Sequence, residues 1–382
     1  MNISSFEKCA NCGACYSICP KAAISIHRNA LFYEPKIDTE LCIDCGACVK
    51  VCPVNQEITG VSPISACAGW HKEEDVVLNS SSGGAFYSLS KEILAQGGIV
   101  FGAAYAEDCK TVEFVSTDDV SLKMLQKSKY VESLVGTAFQ RVKAELEKGR
   151  IVLFCGTPCQ VAGLKLFLRK DYEMLLTCDF ACGGLPSHKI YQNYLRELEL
   201  KYHASVKSID FRPKTYGWKQ HAMWATFENG KVYDRLGAED PYLKSFLFGK
   251  LTVRDYCLEC KFSDRHLSDI TIADFWMHHK LSALEHEDGI SLILCNTEKG
   301  EKAVNGIKEQ FVFENLDVAK VSYNHKETKT SAQDKAKRID FLKIYEENDL
   351  STACKRFFHS SLKNKIRNRI SMIIHRRSRG GK

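Results

Sequence analysis

Two cysteine runs of identical spacing stand at the front of this chain, Cys9-x2-Cys12-x2-Cys15-x3-Cys19-Pro20 and Cys42-x2-Cys45-x2-Cys48-x3-Cys52-Pro53, and they leave this segment little choice in what it folds around. Two-residue spacings let three thiolates wrap one iron-sulfur cube while the backbone turns beneath it, and the fourth thiolate of each cube comes from the other run. The spacing therefore assigns Cys9, Cys12, Cys15 and Cys52 to one 4Fe-4S cluster, and Cys42, Cys45, Cys48 and Cys19 to a second beside it. The runs are also an internal duplication: Asn11-Cys12-Gly13-Ala14-Cys15 recurs as Asp44-Cys45-Gly46-Ala47-Cys48. Each half is expected to be one cluster-binding turn and a short helix. A zinc knuckle needs four ligands per metal and has no use for the third cysteine of each run or the one before proline. A disulfide framework is disfavoured too, because Met1-Asn2-Ile3-Ser4 opens no charged-then-apolar leader, and the thiols imply a reducing compartment.

At 382 residues the chain has room for this small module and one or two ordinary domains. No apolar run approaches the roughly 18 residues of a membrane span, so a cytoplasmic protein is expected. Net charge is +6, yet residues 355–382 carry ten Lys or Arg and no acid, which leaves the rest of the chain net acidic. Within that basic tail Phe358, Leu362, Ile366, Ile370 and Ile374 recur at four-residue steps, an apolar stripe on a helix. A solvated helix packed on the body fits this pattern. So does a helix lying on an anionic membrane surface, which would make the protein peripheral at its inner face. Nucleic acid is the weakest of the three readings.

The pattern divides the chain into a cluster module over residues 1–58, a second domain over 64–350 and the tail, with residues 56–63 as linker. Near the start of the second domain, Ser80, Ser81, Ser82, Gly83 and Gly84 form a polar turn that opens an amphipathic helix. Backbone amides at a helix start suit a phosphate, although a simple cap gives the same signal. Residues 122–148 read as mostly helical. From Ile151 strands and helices alternate, with Cys155 and Cys159 in the loop after one strand and Cys182 after the next, where open α/β sheets place ligands. No Gly-x-Gly-x-x-Gly or Walker loop is present, which disfavours a dinucleotide fingerprint and an NTPase. Cys257-x2-Cys260 needs two more ligands, for which Cys159 and Cys182 are candidates, and together the four suit a third cluster. Zinc on these thiolates and unliganded buried thiols are the alternatives. Cys155, Cys178, Cys67, Cys109, Cys295 and Cys354 are read as ordinary thiols, the first two as substitutes in the third set.

At these residues the chain resembles the beta-subunit family of coenzyme F420 hydrogenases and dehydrogenases. The carriers are the two cysteine runs, residues 80–86, Ser128-Lys129-Tyr130, Phe154 to Leu164, Cys182-Gly183-Gly184-Leu185-Pro186-Ser187, Phe211-Arg212-Pro213-Lys214 with Gly217-Trp218, Cys257 to Cys260, and Ser268 to Trp276. The resemblance implies an α+β two-cluster ferredoxin-like domain followed by an α/β flavin-binding domain with a mixed sheet. It implies FAD against Ser80, Ser81, Ser82, Gly83, Gly84 and Lys129, the glycines sparing room for the cofactor, and it supports Cys159, Cys182, Cys257 and Cys260 as cluster ligands. Many relatives read Cys-His-Gly where this chain has Cys182-Gly183-Gly184, so no imidazole role carries over. Clusters move single electrons and a flavin passes two as hydride, so the expected function is an oxidoreductase taking electrons from ferredoxin or another redox protein to a small organic substrate. Asp274, Lys129 and His188 are candidate acids. The competing reading is an electron-transfer subunit without a substrate of its own.

Overall fold

The computed structural model describes residues 8–276, 278–321 and 332–358. The cysteine module contains α1 (Ala14–Ile18), the antiparallel hairpin β1 (Ile24–His27) and β2 (Glu34–Ile37), and α2 (Ala47–Lys50). The duplication in sequence extends to the backbone. Gly13 (φ 87°) and Gly46 (φ 69°) precede the two helices in the left-handed region, and Asn11 and Asp44, both at φ 51°, turn the chain two residues earlier. Asn and Asp tolerate that conformation better than other side chains, and glycine meets no steric penalty there.

The body opens with β3 (Ser65–His71), α3 (Glu74–Leu78) and α4 (Ala85–Ala95), then β4 (Ile99–Tyr105) and β5 (Val112–Ser116). After α5 (Leu122–Leu125), β6 (Ser133–Leu134) and α6 (Ala138–Glu147) come the expected alternations, β7 (Val152–Gly156), α7 (Pro158–Leu168), β8 (Leu175–Phe180) and α8 (His188–Tyr202). A separate antiparallel sheet of β9 (Val206–Asp210), β10 (Ala222–Phe227) and β11 (Val232–Leu236) is followed by α9 (Pro241–Leu243). The chain returns through β12 (Ile270–Asp274), α10 (His278–Leu281), β13 (Ser291–Cys295), α11 (Glu298–Gly306) and β14 (Phe311–Leu316), and α12 (Ala332–Glu346) and α13 (Leu350–Phe357) end the described part.

Nine strands form one mixed sheet in the order β14-β3-β13-β12-β8-β7-β4-β5-β6, with β12, β8, β7 and β4 mutually parallel at its centre. Side chains alternate across it as a period of two requires. Val100 and Leu153 face Leu89 and Ile93 of α4 and Val304 of α11, while Phe101, Val152 and Phe154 face Phe139 of α6 and Val161 and Leu164 of α7. Ala10, Cys12 and Ala14 join this second face, so the cysteine module is a further layer packed on α7. A third core of Tyr191, Tyr194, Phe211, Tyr242 and Phe341 fills the space between α8, the small sheet and α12.

Two expectations are refined. Residues 122–148 are helical over 14 of 27 positions but not continuously: Gln126 is extended, Lys127 is left-handed at φ 64°, and Ser133–Leu134 pairs with β5 before α6 begins. Burial of Glu132 between the two domains outweighs the local helical preference there. Helix α13 also runs through the boundary placed at Lys355, and Phe358, the first residue of the basic tail's stripe, meets Phe357 edge to face and Phe341 at a tilt, with the Lys244 ammonium 4.7 Å from its ring centre. Leu362, Ile366, Ile370 and Ile374 lie outside the described residues. Among the described residues no helix is long and apolar enough to cross a membrane.

Candidate metal centres and cofactor cleft

The left-handed turns of the cysteine module aim amide protons at sulfur: Asn11 N–H donates to Cys9 Sγ at 3.4 Å and Ala23 N–H to Cys19 Sγ at 3.3 Å. Cys9, Cys12, Cys15 and Cys52 line one enclosed cavity, walled on its apolar side by Tyr16, Ile26, Pro35 and Val54. Cys48 lies beside Cys19 and Cys45, so the fourth cysteine of each run stands with the opposite set. The sets differ in exposure. Cys42 and Cys45 are exposed, whereas Cys12 and Cys52 are buried under the body.

The four cysteines of the body also meet. Cys159 sits in the first turn of α7, which is capped reciprocally by Thr157 and Gln160; Cys182 follows β8; and Cys257 and Cys260 flank the end of a 3-10 turn. Leu185 N–H donates to Cys257 Sγ and Phe262 N–H to Cys260 Sγ, each at 3.4 Å, and the Thr157 hydroxyl lies 3.1 Å from Cys159 Sγ. Burial first, then the neighbouring Cys260 and Cys182, pushes the Cys159 thiol well up; burial and Cys182 push Cys257 up. Thiols so placed ionise only against a strongly positive partner such as a metal core, and their amide donors suit a set of thiolates. Among the described residues no three Cys, His, Asp or Glu side chains converge at single-ion spacing. Cys155 and Cys178 do not join them; they face each other across β7 and β8, and Cys178 belongs to the core on the opposite face.

Helix α7 links the sets. Its N-terminal turn holds Cys159, and Gly163 lies so close to the front module that an added Cβ would stand 3.1 Å from both Cβ and Sγ of Cys12. Leu166 and Arg169 at its other end share a groove with Cys45. Gly163→Val is expected to displace Cys12 and lower bound iron by about four atoms per chain. Valine is the better helix former, so circular dichroism should report no loss of helix. Iron equal to that of the parent protein would show that the front module yields to the side chain.

The Ser80–Gly84 turn lies at the carboxyl edge of the main sheet, beside β3 and β13. Its hydroxyls are already engaged: Ser80 Oγ donates to Val76 O (2.8 Å), Ser82 Oγ to Ile290 O (2.7 Å), and Ser81 Oγ accepts from Ser128 N–H (2.8 Å). The glycines also have a reason within the fold itself. A Cβ on Gly83 would lie 2.3 Å from Gly69 O, and Gly84 is left-handed at φ 94°, so strand packing and helix entry demand glycine at both positions.

Facing this turn is a cationic cluster that the sequence motifs named only as part of a longer match. Arg212 donates to Ser81 O (3.1 Å) and pairs with Asp274 (2.7 Å), and Lys214 reaches the carbonyls of Ser81 and Ser82 (3.2 and 3.4 Å). The guanidinium lies 5.5 Å from the ring centre of Trp276, which stacks on Trp218 at 4.8 Å and 3° and is 40% exposed. Burial lowers Lys129 to about 7, and burial with the adjacent Arg212 lowers Lys214 to about 7 and His221 to about 4. Lys129 donates to Gln126 O at 2.5 Å and lies near Cys155, at the end of β7. The other candidate acids are committed elsewhere. Asp274 is held by Arg212, and His188 is fully buried, stacked on Tyr33 and bonded to Glu132 and to Arg28 O. The interdomain network around His188, with Arg254 at its centre, carries no short-range sequence signal.

Residues 149–355 match the family described as the C terminus of the coenzyme F420 hydrogenase/dehydrogenase beta subunit, and residues 8–56 match a 4Fe-4S dicluster domain. The chain is 22% identical over 315 residues to the coenzyme F420-dependent sulfite reductase of Methanocaldococcus jannaschii, an alignment covering 78% of this chain and 46% of that protein. It thus spans less than half the length of this curated relative. Among solved structures, a chain of the xenon-derivatised F420-reducing NiFe hydrogenase complex of Methanosarcina barkeri aligns with a TM-score of 0.46 at 15% identity, covering 76% of this chain and 93% of that one.

Proposed function

Since the chain belongs to the coenzyme F420 hydrogenase/dehydrogenase beta-subunit family and carries a 4Fe-4S dicluster domain, we propose that it is an iron-sulfur electron-transfer oxidoreductase joining a one-electron carrier to a two-electron ring cofactor. The observation that supports this reading is that members of all three thiol sets lie against α7: Cys159 in its first turn, Cys12 against Gly163 and Cys45 in the groove at its C-terminal end. When bound, the clusters supply single-electron chemistry and a flavin or deazaflavin supplies hydride chemistry. Cys9, Cys12, Cys15 and Cys52 would hold one cluster, Cys42, Cys45, Cys48 and Cys19 the next, and Cys159, Cys182, Cys257 and Cys260 the third.

FAD is the ring cofactor we favour, seated by Ser81 and Ser82 at the α4 turn with Lys129 beside it; the names of the family and of the sulfite reductase relative point to deazaflavin F420 as its partner or its replacement. Arg212 and Lys214 orient an anionic group there, and the Trp218–Trp276 stack offers an apolar plate at the cleft mouth. Lys129 and Lys214 are both suited to move a proton, because an ammonium lowered to about 7 exchanges readily near neutral pH. The alternative, a subunit without its own substrate, is supported by one observation: the sulfite reductase relative is more than twice as long as the region it shares with this chain.

Anaerobic purification tests the reading. About twelve iron and twelve sulfide per chain are expected from three cubes, with one noncovalent flavin and reduction of F420 when a viologen or ferredoxin donor is supplied. Eight iron with stoichiometric zinc would remove the third cluster. Absence of both flavin and F420 reduction in fully iron-loaded protein would remove the ring cofactor. Copurification with a second polypeptide needed for turnover would select the subunit reading.

A further inference from the structure

The cluster thiols reach solvent near the C-terminal end of α7, and the surface there has a definite chemistry. Cys42 and Cys45 are exposed, and Leu41 and Ile43, on either side of Cys42, are 52% and 58% exposed. Beside Cys45, α2 and the C-terminal end of α7 enclose an open groove lined by Lys50, Lys165, Leu166, Arg169, Lys170 and Asp171. Among the described residues none of those four cations forms an ion pair with a carboxylate. Two of them have a defined setting. Arg169 ends α7 in the left-handed region at φ 60°, a conformation that costs a non-glycine residue about 1 kcal/mol, and the Lys170 ammonium lies 4.6 Å from the Tyr172 ring centre.

The Cys42 loop itself carries acids, with Asp38, Glu40 and Asp44 exposed. The Asp38 carboxylate already accepts from the amides of Glu40 and Leu41, which stiffens the loop. Exposed apolar residues beside a redox site, with cations in the adjoining groove and acids in the loop, both attract and orient a charged partner.

We propose that this face is the docking surface for an acidic one-electron carrier protein of the ferredoxin type, with Lys50, Lys165, Arg169 and Lys170 receiving its carboxylates and Leu41 and Ile43 meeting its apolar cluster edge. The inference rests on the electron-transfer reading above. Its size and polarity suit the small, transient interfaces of redox encounters, whose rates depend on steering more than on buried area.

The test compares two electron donors to the iron-loaded full chain: an acidic ferredoxin, and the methyl viologen radical cation. In the variant Lys165→Glu/Arg169→Glu/Lys170→Glu, the second-order rate from ferredoxin should fall at least about tenfold at low salt. Its steep ionic-strength dependence should flatten, while the viologen rate does not fall. Arg169→Gly is the companion variant. Glycine suits the left-handed cap, so this protein should be at least as stable as the parent and still lose several-fold in ferredoxin rate. An unchanged ferredoxin rate with its salt dependence intact in both variants would overturn the proposal, as would polynucleotide binding that both variants abolish while the ferredoxin rate stays constant. Failure of the parent protein to accept electrons from either donor would instead count against the electron-transfer function.

Discussion

Arg254→Gln is expected to destabilise the protein by about 3–5 kcal/mol and to loosen the cysteine module from the body. Arg254 is 3% exposed, and its guanidinium pairs with Glu132, which has no exposed surface, through contacts of 2.5 and 2.9 Å. It also donates to the carbonyls of Tyr33 and Cys9, both in the cysteine module. The same carboxylate accepts from Tyr33 N–H at 2.9 Å and from His188 Nδ1 at 3.1 Å, while the His188 ring stacks on Tyr33 at 3.6 Å. Removing one partner of a buried pair leaves the other charge in a dry interior with its bonds unmade, which is where the large cost arises.

Denaturant unfolding under anaerobic conditions measures the loss, and faster proteolysis within residues 56–63 should accompany it. A double variant, Arg254→Leu/Glu132→Leu, should recover part of the stability, since the penalty belongs to the orphaned charge. A loss below about 1 kcal/mol in Arg254→Gln would mean that the pair is hydrated and does not join the domains.

The cysteine module was legible because cluster chemistry writes short-range spacing into the chain: Cys9 through Cys19 and Cys42 through Cys52 declare a cube without any knowledge of the rest of the fold. The strand-loop-helix units around Cys159 and Cys182 were legible for a related reason, since an apolar run of strand length followed by Pro158 or Ser187 marks both boundaries. What joins these pieces was not. Glu132 and Arg254 are 122 residues apart, and a buried carboxylate in a charged segment looks like any exposed one until its partner is seen. His188 was a candidate acid, but its position is set by Tyr33 and Arg28, far upstream. Gly83 has a reason the sequence does not show. The turn was found correctly, but the need for glycine comes from Gly69 O, on a strand that pairing alone brings alongside.

Cys257→Ser is expected to remove the third cluster alone, taking iron from about twelve to about eight per chain and cutting electron delivery to the ring cofactor by orders of magnitude. Serine is nearly the same size, but its hydroxyl does not ionise as the soft ligand that iron in a sulfide cube requires. The eight cysteines of the front module lie apart from Cys257, four of them lining a cavity of their own, and Leu185 N–H loses only its sulfur acceptor, so the fold and the front clusters should persist. Rapid-mixing spectroscopy separates the steps: a ferredoxin donor should still bleach the front clusters at the parent rate while flavin reduction stalls. Cys155→Ser is the control. Its thiol faces Cys178 across β7 and β8, outside the Cys159, Cys182, Cys257 and Cys260 set, so that variant should keep all its iron. Full iron in Cys257→Ser, or loss of iron in Cys155→Ser, would reassign the third set of ligands.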